Sequence, residues 1–187
     1  MIRKCNFSIY KLRQIRNMIP RKTLIAMVQS EVMSKIDYGN ALLIFQPKYS
    51  LKRIQTVINR AVRLIFKIPK RASVRYYTEE ILHWLPIAGR IDFKTLLIIH
   101  KAIKYNKPTY ISSYFYRIQK TTRNNCFQPR TNNKKFSIRA LKYCGPALLN
   151  RLPNAIANEQ NTTTFKRLVK THLYKNAFDR PLDSLLQ

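Results

Sequence analysis

The side chains able to do chemistry in this chain are few and far apart. Asp37, Asp92, Asp179 and Asp183 are scattered, whereas polymerase and nuclease chemistry needs carboxylates clustered around metal ions about 3.5–4 Å apart. The only adjacent acids, Glu79 and Glu80, follow Thr78 and read as the start of a helix, where negative charge complements the helix dipole. Cys5, His83, His100, Cys126, Cys144 and His172 lie singly along the chain, without the short paired spacing of a zinc site. A lone cysteine with no identifiable base carries no nucleophilic mechanism. Three glycines in the whole chain exclude a phosphate-cradling loop of the P-loop or Rossmann kind. His172 falls on an apolar helix face and reads as a packed imidazole. No catalytic residue, metal ligand or cofactor is expected, and the chain is read as not an enzyme in its own right.

Cationic side chains are what the chain has in quantity. Thirty-six Lys and Arg stand against eight Asp and Glu, a formal net charge of +28. A folded body with that imbalance repels itself unless a polyanion neutralises it. No carboxylate occurs before Glu31, between Asp37 and Glu79, or between Asp92 and Glu159. Phosphate backbone is the expected partner, because contacts to it release condensed counter-ions; an anionic membrane surface is the competitor. No apolar run approaches the roughly 18 residues of a membrane span. Three widely spaced cysteines suggest a reducing, intracellular setting, nuclear or cytoplasmic. An Arg-rich, acid-free start also resembles a mitochondrial presequence.

The elements that must carry these cations are helices. Apolar periodicity predicts helices at about 7–18, 22–35, 50–68, 79–84, 88–105, 109–116 and 162–176. Pro20, Pro47, Pro69, Pro86, Pro108 and Pro153 fall between them or at their ends. Gly39, Gly89 and Gly145 are expected at turns or helix ends. The fold class is therefore mainly α: an irregular multi-helix bundle with a polar, basic loop between about 117 and 139. Residues 1–116 would form one helical region and 140–187 a C-terminal helical extension. The segment 88–105 is apolar around most of its circumference and should be central.

Within 50–68, Leu51, Ile54, Ile58, Ala61, Ile65 and Ile68 fall on one side and Lys52, Arg53, Arg60, Arg63 and Lys67 on the other. Lys70, Arg71 and Arg75 extend that cationic group. In 162–176, with Thr162 as the expected N-cap, Phe165, Leu168, Val169, His172 and Leu173 form the apolar side. Lys166, Arg167 and Lys170 lie opposite them. The loop adds Arg130, Lys134 and Lys135. Solvated helix faces ordinarily mix both signs, and these do not, so the named residues are the expected nucleic-acid-binding set. Tyr10, Tyr76, Tyr77, Tyr110, Tyr114 and Tyr116 are either core or platforms on which unpaired bases stack.

Four stretches carry a family resemblance. Ile36-Asp37-Tyr38-Gly39-Asn40-Ala41-Leu42-Leu43 is followed by Leu51 to Ile65, then by Leu82-His83-Trp84-Leu85-Pro86-Ile87 with Arg90-Ile91-Asp92-Phe93-Lys94. Gly145-Pro146-Ala147-Leu148-Leu149-Asn150-Arg151-Leu152-Pro153 comes last, with Phe165-Lys166 and Lys170-Thr171-His172-Leu173-Tyr174 beyond it. In this order they resemble the region downstream of the polymerase core in non-LTR (LINE-type) retrotransposon reverse transcriptases, CR1- and Jockey-like elements most of all. The resemblance runs from about Cys5 to Phe178; Gly39 stands where a Cys is common and Leu149 where a Trp is common.

That resemblance implies a thumb-like helical region over 1–116 and an extension that holds RNA, an RNA/DNA template–primer or DNA during target-primed reverse transcription. The family's polymerase aspartates and endonuclease residues lie upstream of the matched region, so no chemistry is carried over. An upstream polymerase palm domain is the implied protein partner. Two other readings stand beside it: an RNA-binding structural component of a ribonucleoprotein such as a mitochondrial ribosome, and an inactive transposon remnant.

Overall fold

The computed structural model describes residues 1–113, 115, 117–118, 126–127 and 141–179. The chain is mainly helical, as its periodicity predicts. In order come α1 (Ile2–Ile15), α2 (Arg21–Val28), a π-helical turn Gln29–Met33, α3 (Ser34–Asp37), a 3-10 segment Asn40–Phe45 and α4 (Lys48–Phe66). A second π-helical turn at Tyr77–Ile81 precedes α5 (Ile87–Tyr105) and α6 (Thr109–Ser112). After them come α7 (Leu141–Asn150), α8 (Asn154–Ala157) and α9 (Thr162–Asp179).

The prolines punctuate as expected: Pro20, Pro47, Pro108 and Pro153 each immediately precede a helix. Gly39 adopts φ +61 between α3 and the 3-10 segment, a left-handed turn that any side chain would strain.

Several expectations need correction. The first helix starts at Ile2 and not near residue 7, because the alternation of Ile2, Cys5, Ile9 and Leu12 continues the apolar stripe upstream. The helix expected at 79–84 is a π-helical turn, Tyr77–Ile81, in which Thr78 Oγ1 donates to the Val74 carbonyl. Thr162 is the first helical residue of α9, and Asn161 is its cap: Asn161 Oδ1 accepts from the Thr163 N–H at 2.9 Å. The segment expected as basic loop needs no correction: its described residues are a two-residue antiparallel pairing of Arg117–Ile118 with Cys126–Phe127, which a loop accommodates, and the remainder of 117–139 lies outside the described residues. α7 and α8 are additional to the predicted helices, since Gly145-Pro146 reads locally as a breaker.

Contacts gather the chain into two units, Met1–Arg90 and Ile91–Asp179. In the first, α1 packs on α2 and α4, and α2 packs on α4. Ile54, Val57, Ile58, Ala61, Val62, Leu64 and Ile65 of α4 are buried. At roughly 1.5–3 kcal/mol for each large apolar side chain removed from water, this stripe is the main attachment of α4. Cys5, Leu12, Leu24, Val28, Val32 and Ile36 face it from the other elements as buried core residues.

In the second unit, Leu96 and Ile99 of α5 join Phe115, Leu149, Leu152, Phe165 and Val169 in one apolar cluster. The His100 ring stacks on Phe165 at 3.9 Å, and its Nε2 lies 2.9 Å from the Glu159 carbonyl oxygen. α5 is not apolar-buried all round: Ile98 and Ile103 are exposed.

Gly145 lies inside α7 and not at a turn, which its packing explains. A Cβ there would stand 2.6 and 2.8 Å from the Phe115 ring and 3.1 Å from Ile99 Cδ1. Gly145→Ala is therefore expected to lower stability by about 1–3 kcal/mol through overpacking, although alanine is ordinarily the better helix former. Urea denaturation monitored by circular dichroism measures it, and a gain in stability would contradict this packing.

Candidate nucleic-acid interface

α4 is where the charge pattern becomes a surface. Nineteen residues at 100° per residue place the seven buried side chains on one arc and Lys52, Arg53, Arg60 and Arg63 on the opposite one, with Lys67 as the cap that follows. Lys52, Arg53, Arg60 and Lys67 are exposed and Arg63 is half-buried. From Lys52 to Lys67 the row runs about 22 Å at 1.5 Å per residue.

Two hydrogen bonds widen the row. Arg63 Nη2 donates to the Ala72 carbonyl at 3.1 Å, which folds the turn after α4 back against the helix and carries exposed Lys70 and Arg71 with it. Lys67 makes the reversal possible by adopting φ 56 at the helix C-terminus, its N–H donating to the Arg63 carbonyl. On the other flank Arg60 Nη1 donates to Asn6 Oδ1 of α1 at 3.2 Å.

Arg63 and Arg60 thus do structural work as well as carrying charge. Arg75 lies 3.3 Å from the Glu79 carboxylate, so among the described residues of the predicted set it is the one paired with an acid. Among the described residues no carboxylate pairs with Lys52, Arg53, Arg60, Arg63, Lys67, Lys70 or Arg71; the ion pairs there are Lys35–Glu31, Arg75–Glu79 and Arg90–Asp37.

Lys166, Arg167 and Lys170 are exposed on α9, with Arg167 across the helix from buried Phe165 and Val169 and Lys166 and Lys170 nearer the edge of the buried side. They belong to the second unit, whereas the α4 row belongs to the first. Arg130, Lys134 and Lys135 lie outside the described residues, as do Tyr114 and Tyr116.

Of the remaining tyrosines, Tyr10, Tyr76 and Tyr110 are exposed. Tyr77 is half-buried and packs on Phe66 with ring centroids 4.7 Å apart, so it belongs to the fold. Sequence reasoning misses Tyr49, exposed on the first turn of α4. It falls at a wheel angle between those of Arg63 and Arg60, three and four residues before Lys52 and Arg53, and a helix begun at residue 50 omits it.

The titratable groups of the resemblance motifs serve packing. Asp37 receives Arg90 Nη1 at 3.0 and 2.8 Å, while Arg90 Nε donates to the Leu85 carbonyl and the guanidinium lies 5.9 Å from the Trp84 ring centroid. Asp92 is pushed up to about 6 by burial, partly offset by the Arg151 guanidinium. Burial also pushes the Cys144 thiol up to about 11, with the Asp92 charge adding to it, so this sulfur stays protonated and unreactive near neutrality. Burial lowers the His172 imidazole, whose Nε2 lies 2.8 Å from Asn176 Nδ2. Among the described residues no three His, Cys, Asp or Glu side chains converge as a metal site would require, and no helix is long and apolar enough to cross a membrane.

Comparison with family models, curated proteins and solved structures finds no match.

Proposed function

We propose that this chain binds nucleic acid without catalysing a reaction on it, through the cationic face of α4 and the turn that follows. One observation carries the reading: a row about 22 Å long of exposed and half-buried Lys and Arg to which, among the described residues, no carboxylate is paired, on a helix whose other side is buried in the core. A solvated helix face has no need of single-sign charge, and a polyanion does.

The resemblance to the post-polymerase region of non-LTR retrotransposon reverse transcriptases supplies a context: a segment holding RNA, an RNA/DNA hybrid or DNA during target-primed reverse transcription, beside an upstream palm domain. The long-range pairing of its motif residues supports that context. Asp37 of the first motif meets Arg90 of the third in an ion pair with contacts of 3.0 and 2.8 Å. Residues that hold a fold together in this way are the ones a shared fold would retain.

A filter-binding titration against salt tests the binding itself. With six to ten phosphates contacted, affinity should fall by roughly 10³–10⁵ between 50 and 200 mM salt. A flat salt dependence would discard the reading.

A further inference from the structure

Resting on that reading, we propose that the α4 face takes a single, unpaired strand, whose bases stack on Tyr49, Tyr10 and Tyr76. Helices that read a duplex enter a major groove about 12 Å wide, and a helix with its side chains is itself about 10–12 Å across. Entry therefore requires free flanks. α4 has none. Its apolar side is buried, α1 is fastened along one edge by the Arg60–Asn6 hydrogen bond, and the turn after α4 is fastened across it by Arg63 to the Ala72 carbonyl. What remains is a cationic strip bounded by these contacts, suited to a backbone lying along it.

The rings around the strip complete the site. Tyr49 is 67% exposed at the N-terminal end of the row, at a wheel angle between those of Arg63 and Arg60. Tyr10 is 61% exposed one helical turn beyond Asn6, the α1 residue that touches Arg60. Tyr76, 63% exposed, stands at the other end, held edge-on by Tyr77, which in turn packs on Phe66 of α4. Cations that track phosphates, together with aromatic faces open to solvent at the ends and flank of their row, form an arrangement suited to unpaired bases irrespective of sequence. In a duplex those base faces are already stacked and the rings would have nothing to meet.

The test compares the full chain's affinity for a pyrimidine single strand of about 16 nucleotides, a duplex of equal length, and heparin, a polyanion without bases. The single strand is expected to bind more tightly than the duplex. Tyr49→Ala, Tyr10→Ala and Tyr76→Ala should each weaken single-strand binding by about 5- to 150-fold while leaving duplex and heparin affinities unchanged, and Tyr49→Phe should retain binding. Trp84 fluorescence, from the only tryptophan, checks that each variant is folded.

Duplex binding as tight as single-strand binding, or alanine variants that leave single-strand affinity unchanged, would overturn the stacking proposal while leaving the phosphate interface standing. Salt-dependent binding to none of the three polyanions would remove both. Anionic vesicles that bind the chain while the single strand does not would do the same, and would reassign the strip to a membrane surface.

Discussion

Replacing Arg90 by leucine is expected to destabilise the Met1–Arg90 unit by about 2–4 kcal/mol. The guanidinium makes three hydrogen bonds, two to Asp37 and one to the Leu85 carbonyl, and lies over the Trp84 ring. Removing it strands a carboxylate that is only partly hydrated, because the Asp37 side chain is 31% exposed and that of Arg90 14%. Full burial would put the loss at about 3–5 kcal/mol; the water that reaches Asp37 reduces it.

Lysine is no substitute, since an ammonium on a flexible stem reproduces neither the Nε bond nor the flat contact with the indole. Arg90→Lys should therefore lose a substantial part of the same stability. Trp84, 5% exposed and adjacent to the pair, reports unfolding of this unit directly in a urea titration. The double variant Asp37→Leu with Arg90→Leu should be less unstable than the two single losses summed. Strict additivity, or a loss below about 0.5 kcal/mol for Arg90→Leu, would mean that the pair is an ordinary surface contact.

Asp92→Asn is expected to do the opposite and stabilise the Ile91–Asp179 unit near neutral pH. The Asp92 carboxyl titrates at about 6 in the folded protein against 3.8 for the free group, with burial as the first cause. Its folded pKa is raised, so between about pH 4 and 6 the folded state holds the proton more firmly than the unfolded state does. Stability from this group is thus present at low pH and lost as pH rises through 6.

Holding the proton that much more firmly corresponds to about 3 kcal/mol at most, and an asparagine that must itself find partners should recover about 1–2 kcal/mol of it at pH 7. The difference between wild type and variant should shrink toward zero, or change sign, by pH 4. Glu31 slopes the other way. Hydrogen bonding and charge from Lys35 hold its carboxyl below the usual value, so that pair contributes above the unfolded pKa and is lost on acidification. Denaturation midpoints from pH 4 to 7.5 separate the two, and a pH-independent Asp92→Asn difference would contradict the burial account.

Much of the interface was legible along the chain, and for a local reason. Which side of α4 is apolar and which cationic depends only on residue type and a 100° step, and both are present in residues 48–67 whatever the rest of the chain does. The same holds for Phe165 and Val169 against Arg167 on α9. Net charge, the long acid-free stretches and the proline boundaries are likewise properties of the sequence that folding cannot alter.

Tertiary structure decided what depends on residues distant in sequence. Periodicity treats Arg53, Arg60, Arg63 and Arg75 alike, but folding fastens Arg63 to Ala72, sets Arg60 against Asn6 and neutralises Arg75 with Glu79. Only the packing of Phe115 against α7 turns Gly145 from an apparent breaker into a residue with no room for a Cβ. Asp37 and Arg90, fifty-three positions apart, become one unit by contact, and Asp92 acquires its raised pKa from burial. The sequence by itself determined the charge, the strongly periodic helices such as α4 and α9 and their faces, because those follow from neighbours within a few turns, whereas α7, built around Gly145-Pro146, was not legible locally. Which cations stay open to a ligand, and which side chains are spent on the fold, was decided by long-range packing, where burial and hydrogen-bond partners are set by elements the local pattern cannot see.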